Sequence, residues 1–181
     1  MTNAELIDLA LSEGFAAAAV TATEEIPFDP IFRPYCEENL CGQYGANWSC
    51  PPVCGSFEEM RSRILAQKRA ILLQTIWEIS DYTDETAIRE AKNFHNRASA
   101  ALAGNLRTKG VRGFVVGASG CGLCSPCAKV TGEPCRFPEM KFSCMSAYCI
   151  FVRQLCEKCG VEYDCGPGLL GFFGLFVLEE E

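Results

Sequence analysis

Thirteen cysteines in 181 residues are the strongest constraint on what this chain can fold into, and they are not scattered. Four fall between positions 36 and 54, four between 121 and 135, and five between 144 and 165. No cysteine lies in the 66 residues from 55 to 120. Inert buried thiols would not cluster in this way. An odd count, with no basic segment and no cleavage pattern at the start, argues against a secreted disulfide framework. The expected setting is the cytoplasm, with the clustered thiols holding something inorganic.

The second group reads "CGLCSPCAKVTGEPC". Cys121, Cys124 and Cys127 follow C-x2-C-x2-C, and Cys135 follows a turn-prone Thr-Gly-Glu-Pro. A tight loop of this kind wraps three corners of a cubane, while the fourth thiolate arrives from further along. Zinc is the alternative, although zinc usually takes two C-x2-C knuckles far apart. The first group, "CEENLCGQYGANWSCPPVC", supplies Cys36, Cys41, Cys50 and Cys54. Its gaps match no zinc ribbon. Gly42 and Gly45 allow close backbone approach, and Pro51-Pro52 stiffens the return. Two four-cysteine loops thus predict two [4Fe–4S] clusters. Tyr44 and Trp48 read either as shields for a cluster or as ordinary core aromatics.

The last five cysteines read differently. Met145, Cys149, Val152, Cys156 and Cys159 recur at helical spacing, which predicts a packed stripe on a helix near 143–158. Cys156-x2-Cys159 is also a candidate redox or metal pair. His95, the lone histidine, sits in an Ala-rich helix and reads as a packed or surface residue. "NWS" at 47–49 is a glycosylation sequon without meaning in a cytoplasmic protein. A P-loop, a dinucleotide fingerprint and H-E-x-x-H are absent.

The remaining pattern sets the frame. A helix opens the chain, capped at Asn3, and a strand follows at 15–24. Segment 25–55 is irregular. Ser56 and Glu59 form a capping box for the next helix. Buried strands are expected at 69–79, 111–119 and 169–178, with a helix over 81–107. This alternation predicts one α/β domain over 1–181, with a mixed, partly parallel sheet and cysteine-rich loops at about 33–55 and 119–138; α+β is the alternative. The net charge of −7 with no basic run excludes nucleic acid and anionic membrane partners. The longest apolar run, "GLLGFFGLFVL", is too short to span a bilayer.

The pairing of "CGQYGANWSCPP" with "CGLCSPCAKVTGEPCRFPE", together with the closing "GLLGFFGLFVLEE", resembles a family of predicted metal-binding proteins of unknown function, found mainly in anaerobic prokaryotes. The resemblance runs from about residue 30 to the end. It implies metal binding, of iron–sulfur type, without an assigned reaction. By position it carries over Cys41 and Cys50, with Cys36 ahead of them, and Cys121, Cys124, Cys127 and Cys135. Cys54 rests on spacing alone; were it not a ligand, one iron of the first cluster would take a non-protein ligand. At "SCMSAYCIFV" the chain departs from the family, with Cys149 for Gly, Ser146 for Glu and Phe151 for Asp. If both clusters are closed by four thiolates, the protein relays electrons to a redox partner protein. An open iron would make it an enzyme, and zinc would make it a structural or interaction protein.

Overall fold

In the computed structural model, which describes residues 1–180, apolar periodicity becomes a sheet with helices on both faces. Helix α1 (Asn3–Ser12) leads into β1 (Ala17–Ala22). Its cap is Thr2 rather than Asn3. The Thr2 hydroxyl accepts from the Glu5 N–H, and the Glu5 carboxylate accepts from the Thr2 N–H at 2.7 Å. That reciprocal pair needs an acid three residues after the cap, which Thr2 has and Asn3 lacks. Asn3 turns instead to the Arg69 guanidinium. The segment expected to be irregular holds a short helix, α2 (Arg33–Glu37). Helix α3 (Phe57–Leu65) starts at the expected Ser56–Glu59 capping box.

Strand β2 (Arg69–Glu78), helix α4 (Glu85–Thr108), strand β3 (Arg112–Gly117), the two-residue strand β4 (Ser143–Cys144), helix α5 (Val152–Cys159) and strand β5 (Leu169–Glu179) complete the order. Asp84 caps α4 by accepting from the Thr86 and Ala87 N–H groups, both at 3.0 Å. Helix α5 is shorter than the cysteine periodicity predicts. Cys149 has φ +56°, a left-handed conformation that no helix continues, so α5 begins only at Val152. Met145 and Cys149 therefore lie on the preceding turn, although both remain buried.

The five strands form one mixed sheet in the order β1-β2-β5-β3-β4. Neighbours run antiparallel except β3 and β4, which are parallel, with Val116 opposite Ser143 and Gly117 opposite Cys144. Alternation along the strands separates two apolar layers. Leu72, Phe173, Leu175 and Val177 face Met60 and Ile64 of α3 and Leu155 and Cys156 of α5. Ile71, Leu73, Phe176 and Leu178 face Leu6 and Ala10 of α1 and Leu102 and Leu106 of α4. Between β5 and α4 the backbone comes close at Gly174, where a Cβ would stand 2.7 Å from the His95 Nε2.

This register decides where the cysteines go. The first cysteine segment leaves β1 at Ala22, opposite Arg69, and the second leaves β3 at Gly117, toward the other end of the sheet. The first must cross to meet the second. It is pinned on the way, since the Asp29 N–H donates to the Cys149 carbonyl at 2.8 Å and Phe28 bridges to Ile150.

Candidate metal centres

The two cysteine loops are clamped together by Asn47, Trp48 and Ser49. Asn47 is buried. Its Nδ2 donates to the Cys121 carbonyl at 3.1 Å, and its Oδ1 accepts from the Ser49 N–H at 3.0 Å and the Ser49 hydroxyl at 2.9 Å. The Ser49 Oγ in turn accepts from the Cys121 N–H at 3.0 Å. Both backbone groups of Cys121 are thus held by the other loop. The Trp48 indole N–H donates to the Glu133 carbonyl at 2.9 Å, and the Lys129 ammonium lies 5.1 Å from the indole ring centre. The sequon is therefore an internal clamp, and Trp48 is a bridge between the loops. Tyr44 is fixed differently, its N–H donating to the Asn39 Oδ1 at 2.9 Å.

In the second loop, burial raises the Cys121 thiol, and the charges of Cys124 and Cys135 add to the rise. The backbone at Leu123 and Phe142 opposes that rise. Cys127 goes the other way. Burial would raise it, but the N–H groups of Lys129 and Trp48, the Cys124 thiol and the Arg136 guanidinium together hold it below the ordinary thiol value. Backbone N–H groups aimed at sulfur favour the thiolate, the form that binds metal. The loop returns through a helical turn at Ala128–Thr131, closed by Gly132 at φ +75°. Cys121 thus responds to Cys124 and Cys135, and Cys127 to Cys124 and to the Trp48 backbone of the first loop.

In the first loop burial dominates. It pushes the Cys50 thiol up to about 12, helped by the charges of Cys144, Cys41 and Cys54. Cys36 is raised by burial, opposed by Arg33 and reinforced by Cys41. Cys54 is raised by burial, with Arg33 and Ser143 opposing. Cys41 itself is exposed. Arg33, on α2, also lowers Cys149 against its burial. It is the cation of this region, and residue spacing gave no signal of it. Cys144 belongs to the same neighbourhood: burial pushes it up to about 11, and the charge of Cys36 adds to that.

Of the third group, Cys156, Cys159 and Cys165 stay apart. Burial pushes Cys156 up to about 12, with Cys159 and Cys165 adding. Cys165 accepts from the Gln74 Nε2 at 3.4 Å. Cys156 also lines an open cavity of about 350 Å³ between Arg153 and Asp164. Cys156 packs in the core beside Leu155, as its periodicity predicts. His95 is wholly enclosed, with Nδ1 2.9 Å from the Thr75 hydroxyl and the Phe15 ring edge-on at 5.7 Å.

A model of the predicted metal-binding protein family (DUF2284) matches residues 19–178. The chain belongs to that family. The match takes in every cysteine and all of the sheet but the first two residues of β1 and the last of β5, so in this DUF2284 chain it spans the clamp, both loops and the strands that carry them. No curated protein and no solved structure matches the chain. Metal binding is what the family's description predicts, and the chain's cysteines offer thiol donors. Among the described residues, no group of three or more His, Cys, Asp or Glu side chains is gathered so that it could hold a metal ion. Likewise, no helix among them is long and apolar enough to cross a membrane.

Proposed function

We propose that the chain is an iron–sulfur protein of anaerobic cytoplasm that carries two [4Fe–4S] clusters and relays electrons to a redox partner protein. One observation carries this reading. Cys121, Cys124, Cys127 and Cys135 share one short loop that Asn47 and Ser49 of the other cysteine loop grip at Cys121, and backbone groups favour the thiolate at Cys121 and Cys127. Such groups are a principal means by which a protein sets a cluster's potential. A single zinc ion would draw four sulfurs to roughly 3.8 Å from one another, given tetrahedral Zn–S bonds of about 2.3 Å. The C-x2-C-x2-C spacing with a more distant fourth thiol supports a cluster, in which each sulfur has its own iron.

The second centre would be held by those four cysteines. The first would be held by Cys36, Cys41 and Cys50 with a fourth protein sulfur, for which spacing nominates Cys54. When bound, the clusters supply one-electron storage. The chain's own part is electrostatic. Arg33 offsets negative charge at the first centre, while Arg136 and the Lys129 and Trp48 N–H groups do so at the second. The clamp through Asn47 and Ser49 fixes one loop against the other, which keeps the distance between carriers constant.

The test is composition under anaerobic purification. The expected result is about eight irons and eight acid-labile sulfides per chain, with a paramagnetic signal after one-electron reduction. Stoichiometric zinc without sulfide would replace this reading with a zinc-binding structural protein.

A further inference from the structure

In a chain of net charge −7, two cations stand on one small cleft with no acid beside them. The cleft, of about 60 Å³, opens between α3, β3 and the segment that enters β4. Arg63 of α3 and Lys141 are its exposed cations, and none of its lining side chains is a carboxylate. Among the described residues the ion pairs are Arg69–Glu180, Arg136–Glu133, Arg153–Asp164 and Lys158–Glu25, so neither Arg63 nor Lys141 has a carboxylate partner. The Arg63 guanidinium is held over the Phe114 ring, 4.3 Å from its centre. Phe142 supplies another aromatic wall, and it fits because residue 117 is glycine: a Cβ there would stand 2.5 Å from that ring.

A second feature points to a ligand. Tyr148 lines the same cleft and is 2 % exposed. Its hydroxyl makes no hydrogen bond of ordinary length among the described residues, yet it is not sealed in: the one sealed polar atom without a partner among them is the His95 Nε2. The phenol oxygen therefore opens on the cleft. Burial raises this phenol and the Arg63 guanidinium opposes the rise, so cation and hydroxyl meet over the same space. A hydroxyl that is nearly enclosed and unpaired is costly, and the cost ends when a ligand atom accepts its proton. Ser143 of β4 adds another hydroxyl to the lining. A guanidinium takes two oxygens of an oxyanion side by side, an ammonium takes a third, and aromatic walls that exclude water strengthen both.

We propose that this cleft binds a small tetrahedral oxyanion of the phosphate or sulfate class, held by Arg63 and Lys141 and hydrogen-bonded by the Tyr148 hydroxyl. Two positive charges balance the two negative charges of such an ion. The net charge of the chain repels anions elsewhere, so binding depends on this local reversal of sign. The small volume admits the ion itself, or the head of a small molecule whose remainder stays outside. The lining also includes Trp48 and Cys54, so the anion lies beside the first cysteine loop, but the site itself needs no metal.

Titration calorimetry of the whole protein, purified anaerobically, tests it with inorganic phosphate, glycerol phosphate and acetate. Phosphate or glycerol phosphate should bind saturably at one site per chain, and more tightly than acetate. Whichever of the two binds tighter tells the free ion from the head group. Arg63→Gln and Lys141→Gln, both at exposed positions, should each weaken binding about tenfold or more. Tyr148→Phe should weaken it about fivefold, yet leave the thermal midpoint without ligand at least as high as in the wild type, since the lost hydroxyl had no partner. A merely structural tyrosine would lower that midpoint. Arg61→Gln, on the same helix, controls for charge alone and should bind as the wild type does. Absence of saturable phosphate or glycerol phosphate binding, a preference for acetate, an equal loss in Arg61→Gln, or wild-type affinity in both Arg63→Gln and Lys141→Gln overturns the proposal. Zinc in place of iron and sulfide would defeat the iron–sulfur reading alone, because no step of this titration reads the metal.

Discussion

The sheet and the cysteine loops are built on different principles. In the sheet, β2 and β5 pair over nine residues and are covered on both faces by apolar side chains. Even the lone histidine is absorbed there, uncharged and bonded to Thr75. In the loops, most of the order comes from a few polar side chains, chiefly Asn47, Ser49 and Trp48, and from thiols that repel one another once ionised. The sheet is complete as it stands, whereas the loops concentrate half-buried thiols. The core and the candidate metal-binding loops thus lie in separate parts of one chain, and changes in one part should be readable apart from the other.

The largest effect belongs to the sheet. Leu175, fully buried in the central strand and opposite Leu72, should cost about 2–5 kcal/mol of global stability when truncated to alanine. The midpoint of chemical denaturation of the metal-loaded protein measures it. A drop confined to the loops, with the sheet's circular dichroism unmoved, would break the contrast.

Acidification should act next, and again through the sheet. Burial depresses His95 to about 4, below the ordinary value of 6.5. The unfolded chain therefore binds a proton below pH 6.5 that the folded chain refuses until about pH 4. Stability conferred by the neutral imidazole is complete above that window and falls within it, by roughly 3 kcal/mol in all. The difference between wild type and His95→Gln, measured against pH, should show this slope; parallel curves would remove His95 from the account.

A smaller and local effect is expected at the clamp. Asn47→Ala leaves the Cys121 carbonyl and the Ser49 donors without their buried partner, at about 1–3 kcal/mol. Hydrogen exchange should quicken at the Ser49 and Cys121 amides and stay unchanged in β2 and β5. Uniform acceleration would mean that the two parts are not separable.

The smallest effect concerns Arg33. Its guanidinium lowers Cys36, Cys54 and Cys149, each against a larger upward push from burial. Arg33→Gln should shift these three thiols further up and slow their alkylation in the metal-free protein, while Cys124 and Cys127 react at the wild-type rate. Slowing in both loops would show that the regions share one electrostatic environment.

How much of this was legible in the sequence follows from how local each signal is. Ser56 and Glu59 announce a helix start because both partners of the capping box lie within four residues. The strands at 69–78 and 169–179 are long enough for apolar, β-branched and aromatic residues to declare them. Strand β4 has two residues and no period to detect. The turn before α5 reads as helix because cysteines recur at helical spacing, and only the left-handed Cys149 breaks it. At the candidate centres, spacing groups Cys121, Cys124, Cys127 and Cys135 because all four lie within fifteen residues of one loop. The clamp was hidden because Asn47 and Ser49 act on a residue more than seventy positions away. Arg33 and Cys144 were hidden for the same reason, since tertiary folding brings them to the first loop.

The middle position of β5 has a consequence for how the protein is made. It is the latest strand along the chain, yet it joins β2 to β3. As a ribosome delivers the chain from its N-terminus, all thirteen cysteines emerge before the strand that unites the two halves of the sheet. The nascent polypeptide thus exposes its full set of thiols while β1 and β2 have no bond to β3 and β4. Maturation has a built-in order: the thiols wait, reduced and unshielded, until the last strand threads the gap and brings the two cysteine loops face to face.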